Sequence, residues 1–294
     1  MLLYRKHHMG EMAPYANFME EQIMKKILLL AVALIAVSGI AFAQVDLSKV
    51  KDGVYFAQDK GFSSSGWKEQ VILEVSKGKI VRAVWNGVSN LPGATDKKTY
   101  AASGKYGMIK ASKIKAEWDT QAKTVEDYLV KTQDINFSKF DAKGHTDAIS
   151  GATLTVKGFF ELAQEALKSS PVEKGSYKDG WYYAEDLNFD KSGWKNSVLV
   201  TVVNGTIVDV VWNGISKDPQ AKSKYVQSQL GTYKMNAKNG EWYVQADRVA
   251  QAIVKAGDPA KIPVKADGKT DAVSGVSITV QGITLAIEAL KAAK

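Results

Sequence analysis

Val198-Leu199-Val200-Thr201-Val202-Val203-Asn204-Gly205-Thr206-Ile207 is the stretch that sets the fold. Val198, Val200 and Val202 alternate with their neighbours, and Ile207 to Trp212 is rich in β-branched residues. With the turn dipeptide Asn204-Gly205 between them, the two runs predict an antiparallel hairpin. The pattern also stands 127 residues earlier, as Val71, Leu73 and Val75, then Lys77-Gly78, then Ile80 to Trp85.

The correspondence extends in both directions. Lys51-Asp52-Gly53 matches Lys178-Asp179-Gly180, Ser65-Gly66-Trp67-Lys68 matches Ser192-Gly193-Trp194-Lys195, and Tyr106 with Met108 matches Tyr233 with Met235. Beyond these the offset falls to 124, pairing Glu117-Trp118 with Glu241-Trp242, so a three-residue gap lies between Met108 and Glu117. A repeat of about 120 residues is a duplicated domain rather than a short-period solenoid. The two units are expected over residues 47–169 and 175–294, joined by the linker-like Ser169-Ser170-Pro171-Val172-Glu173-Lys174-Gly175.

Helical spacing appears later in each unit, at Trp118, Ala122, Val125 and Leu129, and less regularly at Val244, Val249 and Ile253. The last helix of each is marked by Val156, Phe160, Ala163 and Leu167, and by Val280, Ile283, Ile287 and Leu290. The fold class expected is α+β: two tandem homologous domains, each an antiparallel β-sheet packed with helices.

Just before each last helix stands a matched string, Asp147-Ala148-Ile149-Ser150-Gly151-Ala152-Thr153 and Asp271-Ala272-Val273-Ser274-Gly275-Val276-Ser277. Gly151 permits a tight turn and close backbone approach, and Ala152 leaves room beside the chain. The hydroxyl of Thr153 is then expected where the free N–H groups of a starting helix converge, a setting that favours an anion. The plainer reading of such residues is a helix cap. Thr155 and Thr279, two residues on, are expected to pack or bond within the first turn. His145, aligned with Lys269, is expected to be a solvated loop charge.

On these strings both units resemble the FMN-binding domain of flavinylated subunits of sodium-pumping NADH:quinone reductase and Rnf complexes, which also occurs in exported bacterial electron-transfer flavoproteins. The resemblance spans most of both units. It implies that the string is the recognition site of a flavin transferase, which uses FAD and Mg²⁺ and joins FMN through a phosphoester to the last hydroxyl. The acceptors implied are Thr153 and Ser277, giving one or two covalent FMN groups per chain. Asp147, Ser150, Gly151 and Ala152, with Asp271, Ser274, Gly275 and Val276, would be recognition and loop-forming positions. Val276 departs from the pattern, which has Ala there, and its bulk bears on whether Ser277 is modified.

A flavin ring needs flat apolar surfaces. Trp67 with Trp194, Trp85 with Trp212, and Tyr106 with Tyr233 are the repeated candidates. Trp85 and Trp212 end strands and read as core anchors.

Composition narrows the chemistry. The chain has 294 residues, no cysteine and three histidines, of which His7 and His8 precede the folded part. Disulfides, thiolate zinc, iron–sulfur ligation and thioether-linked haem are excluded. Net charge is +8 without a basic cluster, so nucleic acid is not expected as a partner. Lys25-Lys26, the apolar run Ile27 to Val37, and Ala41-Phe42-Ala43 have the order of a signal peptide over residues 24–43. Residues 1–23 then read as an over-extended start, and export to the periplasm or cell surface is expected. No acid–base pair or nucleophile stands out.

The expected function is therefore an exported electron carrier rather than a stand-alone enzyme, with membrane or envelope redox partners. The alternatives are a flavin-dependent reductase of a small acceptor and a non-flavinylated envelope binding protein.

Overall fold

A computed structural model describes residues 44–294. The leader expected over 24–43, and the segment before it, lie outside the described residues. From Val45 onward the chain forms one unit.

Strands β1 (Gly53–Gln58), β2 (Trp67–Ser76) and β3 (Lys79–Ser89) form an antiparallel sheet in chain order. The second half repeats it with β4 (Gly180–Glu185), β5 (Trp194–Val203) and β6 (Thr206–Ser216). The expected hairpins are β2–β3 and β5–β6. Their turns, Lys77-Gly78 with φ 53° and 71° and Asn204-Gly205 with φ 50° and 77°, place both central residues in the left-handed region. That backbone matches the natural twist of paired strands. Each hairpin also shifts register at the same place, Glu74/Val75 and Thr201/Val202.

Helices α1 (Lys97–Ala102), α2 (Met108–Ala111), α3 (Trp118–Thr132) and α4 (Lys157–Lys168) follow the first sheet. After the second come α5 (Lys224–Leu230), α6 (Trp242–Ala256) and α7 (Gln281–Ala289). The three-residue offset falls at α2, a single turn without a counterpart among the described residues of the second half.

One face of each hairpin packs on the helices. Val71, Leu73 and Val75 in the first half, and Val198, Val200 and Val202 in the second, are all buried. Each such side chain contributes roughly 1.5–3 kcal/mol. Trp85 and Trp212 anchor these cores as expected: Trp85 meets Trp118 at 5.3 Å and Phe159 at 5.2 Å, and Trp212 meets Trp242 at 5.1 Å. Trp118, Ala122, Val125 and Leu129 form the buried stripe of α3. On α6 the stripe is Trp242, Ala246, Val249 and Ile253, with Val244 at its margin. Ile287 differs from expectation, since α7 buries Ile283, Leu285, Ala286 and Ala289 and leaves Ile287 exposed. Apolar residues lie on more than one side of α7, so spacing alone does not choose its inward face.

The second faces of the two sheets meet each other. Val88 of β3 packs with Leu199 of β5 and Val211 of β6, flanked by Phe62, Trp181 and Tyr183. Gln70, fully buried at this seam, accepts from Trp181 Nε1 at 2.7 Å and Thr201 Oγ1 at 3.3 Å. Its amide nitrogen donates to Asp209 Oδ2 at 3.1 Å and Gln58 Oε1 at 3.0 Å. Lys68 Nζ completes the set on Asp209 Oδ1 at 2.9 Å. A buried amide satisfied on both its oxygen and its nitrogen fixes the sheets in one register, because any slip strands polar groups away from water. Among the described residues no helix is long and apolar enough to cross a membrane.

Candidate functional site

The two matched strings form equivalent loops, each laid against the helix that precedes it in its half. Gly151 takes φ +87° and Gly275 takes φ +74°, conformations that L side chains rarely adopt. Ala152 is buried behind the first turn, whereas the larger Val276 is only partly covered. Asp147, Ser150, Gly151 and Thr153 are exposed in the first loop, as are Asp271, Ser274 and Ser277 in the second.

The hydroxyls are not at the helix entrances. Helix α4 begins at Lys157 with Val156 as its cap residue, and α7 begins at Gln281 after Val280. The Gly144 carbonyl takes the N–H groups of both Val156 and Lys157, and the Gly268 carbonyl takes that of Val280. Those amides are therefore occupied, and neither Thr153 nor Ser277 acts as a cap.

What holds each hydroxyl is a glutamine. Gln121 Oε1 on α3 receives both the backbone N–H of Thr153 at 2.7 Å and its hydroxyl at 3.0 Å. Gln245 Oε1 on α6 receives the N–H of Ser277 at 2.7 Å and its hydroxyl at 3.3 Å. Gln121 Nε2 anchors to the Ala116 carbonyl at 3.0 Å and Ser112 Oγ at 3.2 Å, and Gln245 Nε2 to the Gly240 carbonyl at 2.8 Å. Both glutamines are fully buried. Each residue is thus tied at both its backbone N–H and its hydroxyl, although the residue as a whole is exposed. Sequence reasoning missed this pair. The signal available was an identical glutamine three residues after each matched Trp118 and Trp242.

The flank of each loop differs between halves. Beside Gly151 stands the methyl of Thr124, 3.5 Å from where a Cβ would lie. Beside Gly275 the guanidinium of Arg248 is stacked on the backbone. His145 is held by Asp141 at 3.4 Å and Thr155 Oγ1 at 3.4 Å, so it is a tethered loop residue.

A buried lysine in an aromatic box lies near the start of α3. Lys97 Nζ stands 4.2 Å from the Trp118 ring centre and 5.3 Å from that of Tyr106. Trp67 is buried against Tyr100 and Tyr106, while Tyr106 and Tyr233 are half-buried at the box margins. In the second half Lys224 stands among Trp194, Tyr233 and Trp242. At the base of α3, Glu117 Oε2 and Asp119 Oδ1 are buried without a donor. No group of three His, Cys, Asp or Glu residues could hold a metal among the described residues.

Comparison with known proteins places a family on this geometry. Residues 66–168, which enclose β2 to α4 and the Thr153 loop, match the model of the FMN-binding domain. A solution NMR structure of a Clostridium thermocellum protein is 50% identical, covering 40% of this chain and 90% of its own, with a TM-score of 0.32. A crystal structure from Clostridium perfringens is 25% identical, covering 40% and 87%, with a TM-score of 0.30. No curated protein matches.

Proposed function

We propose that this chain, an FMN-binding domain protein, is an exported electron carrier with FMN joined covalently to Thr153, and to Ser277 in its second half. The observation that carries the reading is the pinned Thr153: an exposed residue whose backbone N–H and hydroxyl are both held by one buried glutamine, within the matched family segment. A transferase must reach an oxygen that is both accessible and fixed in place, and orientation of this kind contributes strongly to reactivity.

The residues fit the group. In the attachment step the Thr153 oxygen bonds to the flavin-side phosphorus of FAD while the bond from that phosphorus to the AMP oxygen breaks. AMP leaves, and the hydroxyl proton passes to solvent or to a base of the transferase. Thr153 then no longer donates to Gln121, but its N–H still does, so the loop keeps its anchor. Glu117 Oε2 and Asp119 Oδ1, buried without donors, are acceptors that a bound group with N–H functions would complement. The bound flavin would supply reversible one- and two-electron chemistry, which this chain's own side chains do not. The protein's part would be to hold it, with partly buried aromatics such as Tyr106 as candidate apolar surfaces, and keep it attached outside the cytoplasm.

The reading is tested by co-expressing the chain with a flavin transferase, denaturing it, and measuring intact mass and bound flavin fluorescence. Wild type should gain two FMN groups, Thr153→Val and Ser277→Ala one each, and the double variant none. A wild-type chain with no adduct would overturn the carrier. Turnover of one small acceptor at the bound flavin would favour a reductase instead.

A further inference from the structure

The second attachment loop carries a cation that the first lacks. Arg248 lies one turn after Gln245 on α6, so the two side chains project on the same side of the helix. Gln245 holds Ser277, and Arg248 Nη1 donates to the Gly275 carbonyl at 2.7 Å, two residues before that hydroxyl. The same nitrogen donates to the Asn239 carbonyl at 2.5 Å. The guanidinium rests on bare glycine backbone: a Cβ at Gly275 would fall 2.9 Å from Nη1 and 3.1 Å from Cζ.

Two features set this arginine apart from a structural tether. Only Nη1 is committed to protein carbonyls, which leaves the Nη2 and Nε donors without a protein acceptor among the described residues. No carboxylate pairs with it there either, although the chain has 31 acidic residues. A partly buried guanidinium without a counter-ion among the described residues, bonded to the loop two residues before its hydroxyl-bearing Ser277, has the donor set that binds phosphate oxygens. The equivalent position in the first half is Thr124, which bears no charge.

We infer that Arg248 is a phosphate-holding residue of the Ser277 loop, giving the second half an anion site that the first does not have. This rests on the attachment reading above only for the identity of the anion. A phosphodiester on Ser277 keeps one negative charge, and Arg248 is the group placed to neutralise it. The site also offsets the departure at Val276: where the loop is bulkier, charge recruits and holds the phosphate that a small residue would merely admit.

The test has two arms. In the first, the chain made without transferase is titrated with inorganic phosphate at constant ionic strength while backbone amides are followed by NMR. Phosphate should shift Gly275 and Ser277 but not Gly151 and Thr153. Arg248→Gln should abolish the shifts, and Arg248→Lys, which keeps the charge, should retain them. In the second, FMN on each loop peptide is counted by mass after co-expression with the transferase. Arg248→Gln should reduce FMN on Ser277 at least tenfold and leave Thr153 unchanged, the first half reporting that the chain is folded. An unmodified Ser277 in wild type, with the phosphate shifts still dependent on Arg248, would remove the attachment reading for that loop and leave the anion site standing. Phosphate shifts that survive in Arg248→Gln, or shifts absent from wild type, would overturn the role of Arg248.

Discussion

Glu69 Oε1 lies 2.5 Å from Lys97 Nζ, and both side chains are largely shut off from water. Burial pushes the carboxyl up and the ammonium down from their ordinary values, and each charge pulls the other back. The pair also engages Trp85, whose Nε1 donates to Glu69 Oε2 at 2.9 Å. In the second half the position of Glu69 is Asn196, and Lys224 keeps its rings with Asp190 as the carboxylate that acts on it through space.

Removing one member of a buried pair leaves the other charge uncompensated. Glu69→Gln should therefore lower the free energy of unfolding by about 3 kcal/mol. A double variant, Glu69→Leu with Lys97→Met, should recover most of that loss, because two apolar side chains replace two desolvated charges. Urea denaturation of the single and double variants checks both.

Lys224 makes the second half sensitive to alkali in a defined direction. Burial holds its ammonium below the ordinary lysine range, so the unfolded chain binds more protons than the folded one between the two values. Stability gained from this group therefore rises with pH through that window. Lys224→Met should be more stable relative to wild type at neutral pH, and the difference should shrink as pH climbs toward 10.5. Thermal unfolding midpoints across that range measure it.

Two equivalent glycines should respond in opposite ways to one methyl group. A Cβ at Gly282 would come within 2.5–2.9 Å of the Trp212 ring, while one at Gly158 would meet nothing within 4 Å. Gly282→Ala should cost about 1–3 kcal/mol through overpacking. Gly158→Ala should stabilise by up to about 1 kcal/mol, the ordinary helix preference. Denaturant midpoints of the two variants decide between them.

Gln121→Leu should untie the Thr153 loop, where the proposed function attaches FMN. The loss of the bonds from Thr153 leaves a stability cost of about 1–3 kcal/mol. The sharper outcome is selective: FMN on Thr153 should fall, while Ser277, held by Gln245, keeps its level. Gln245→Leu should show the mirror result. Peptide mass after co-expression with the transferase reads both loops in one sample.

Much of this fold was legible because its signals are local. Alternation at Val198, Val200 and Val202 and the Asn204-Gly205 turn need no knowledge of the rest of the chain. Strands β1 and β4 escaped because Gly53–Gln58 and Gly180–Glu185 lack that alternation and owe their pairing to β2 and β5. The seam between sheets was equally hidden, since nothing near Lys68 and Gln70 in the chain marks them as partners of Asp209, 141 and 139 residues away. At the site, the loop strings were legible but their setting was not. A Ser-Gly-Ala-Thr before a helix suggests capping, and only the fold shows Gly144 occupying the helix amides and Gln121 holding the N–H and hydroxyl of Thr153.

The seam has a consequence for the ancestry of the chain. Gln70 faces Asp209, yet the first-half position equivalent to Asp209 is Arg82, and the second-half position equivalent to Gln70 is Ser197. Two first halves joined in series would set an arginine against Lys68, cation to cation. Two second halves would offer a serine too short to bridge. The copies have become left and right hands, and neither can be doubled to rebuild the whole.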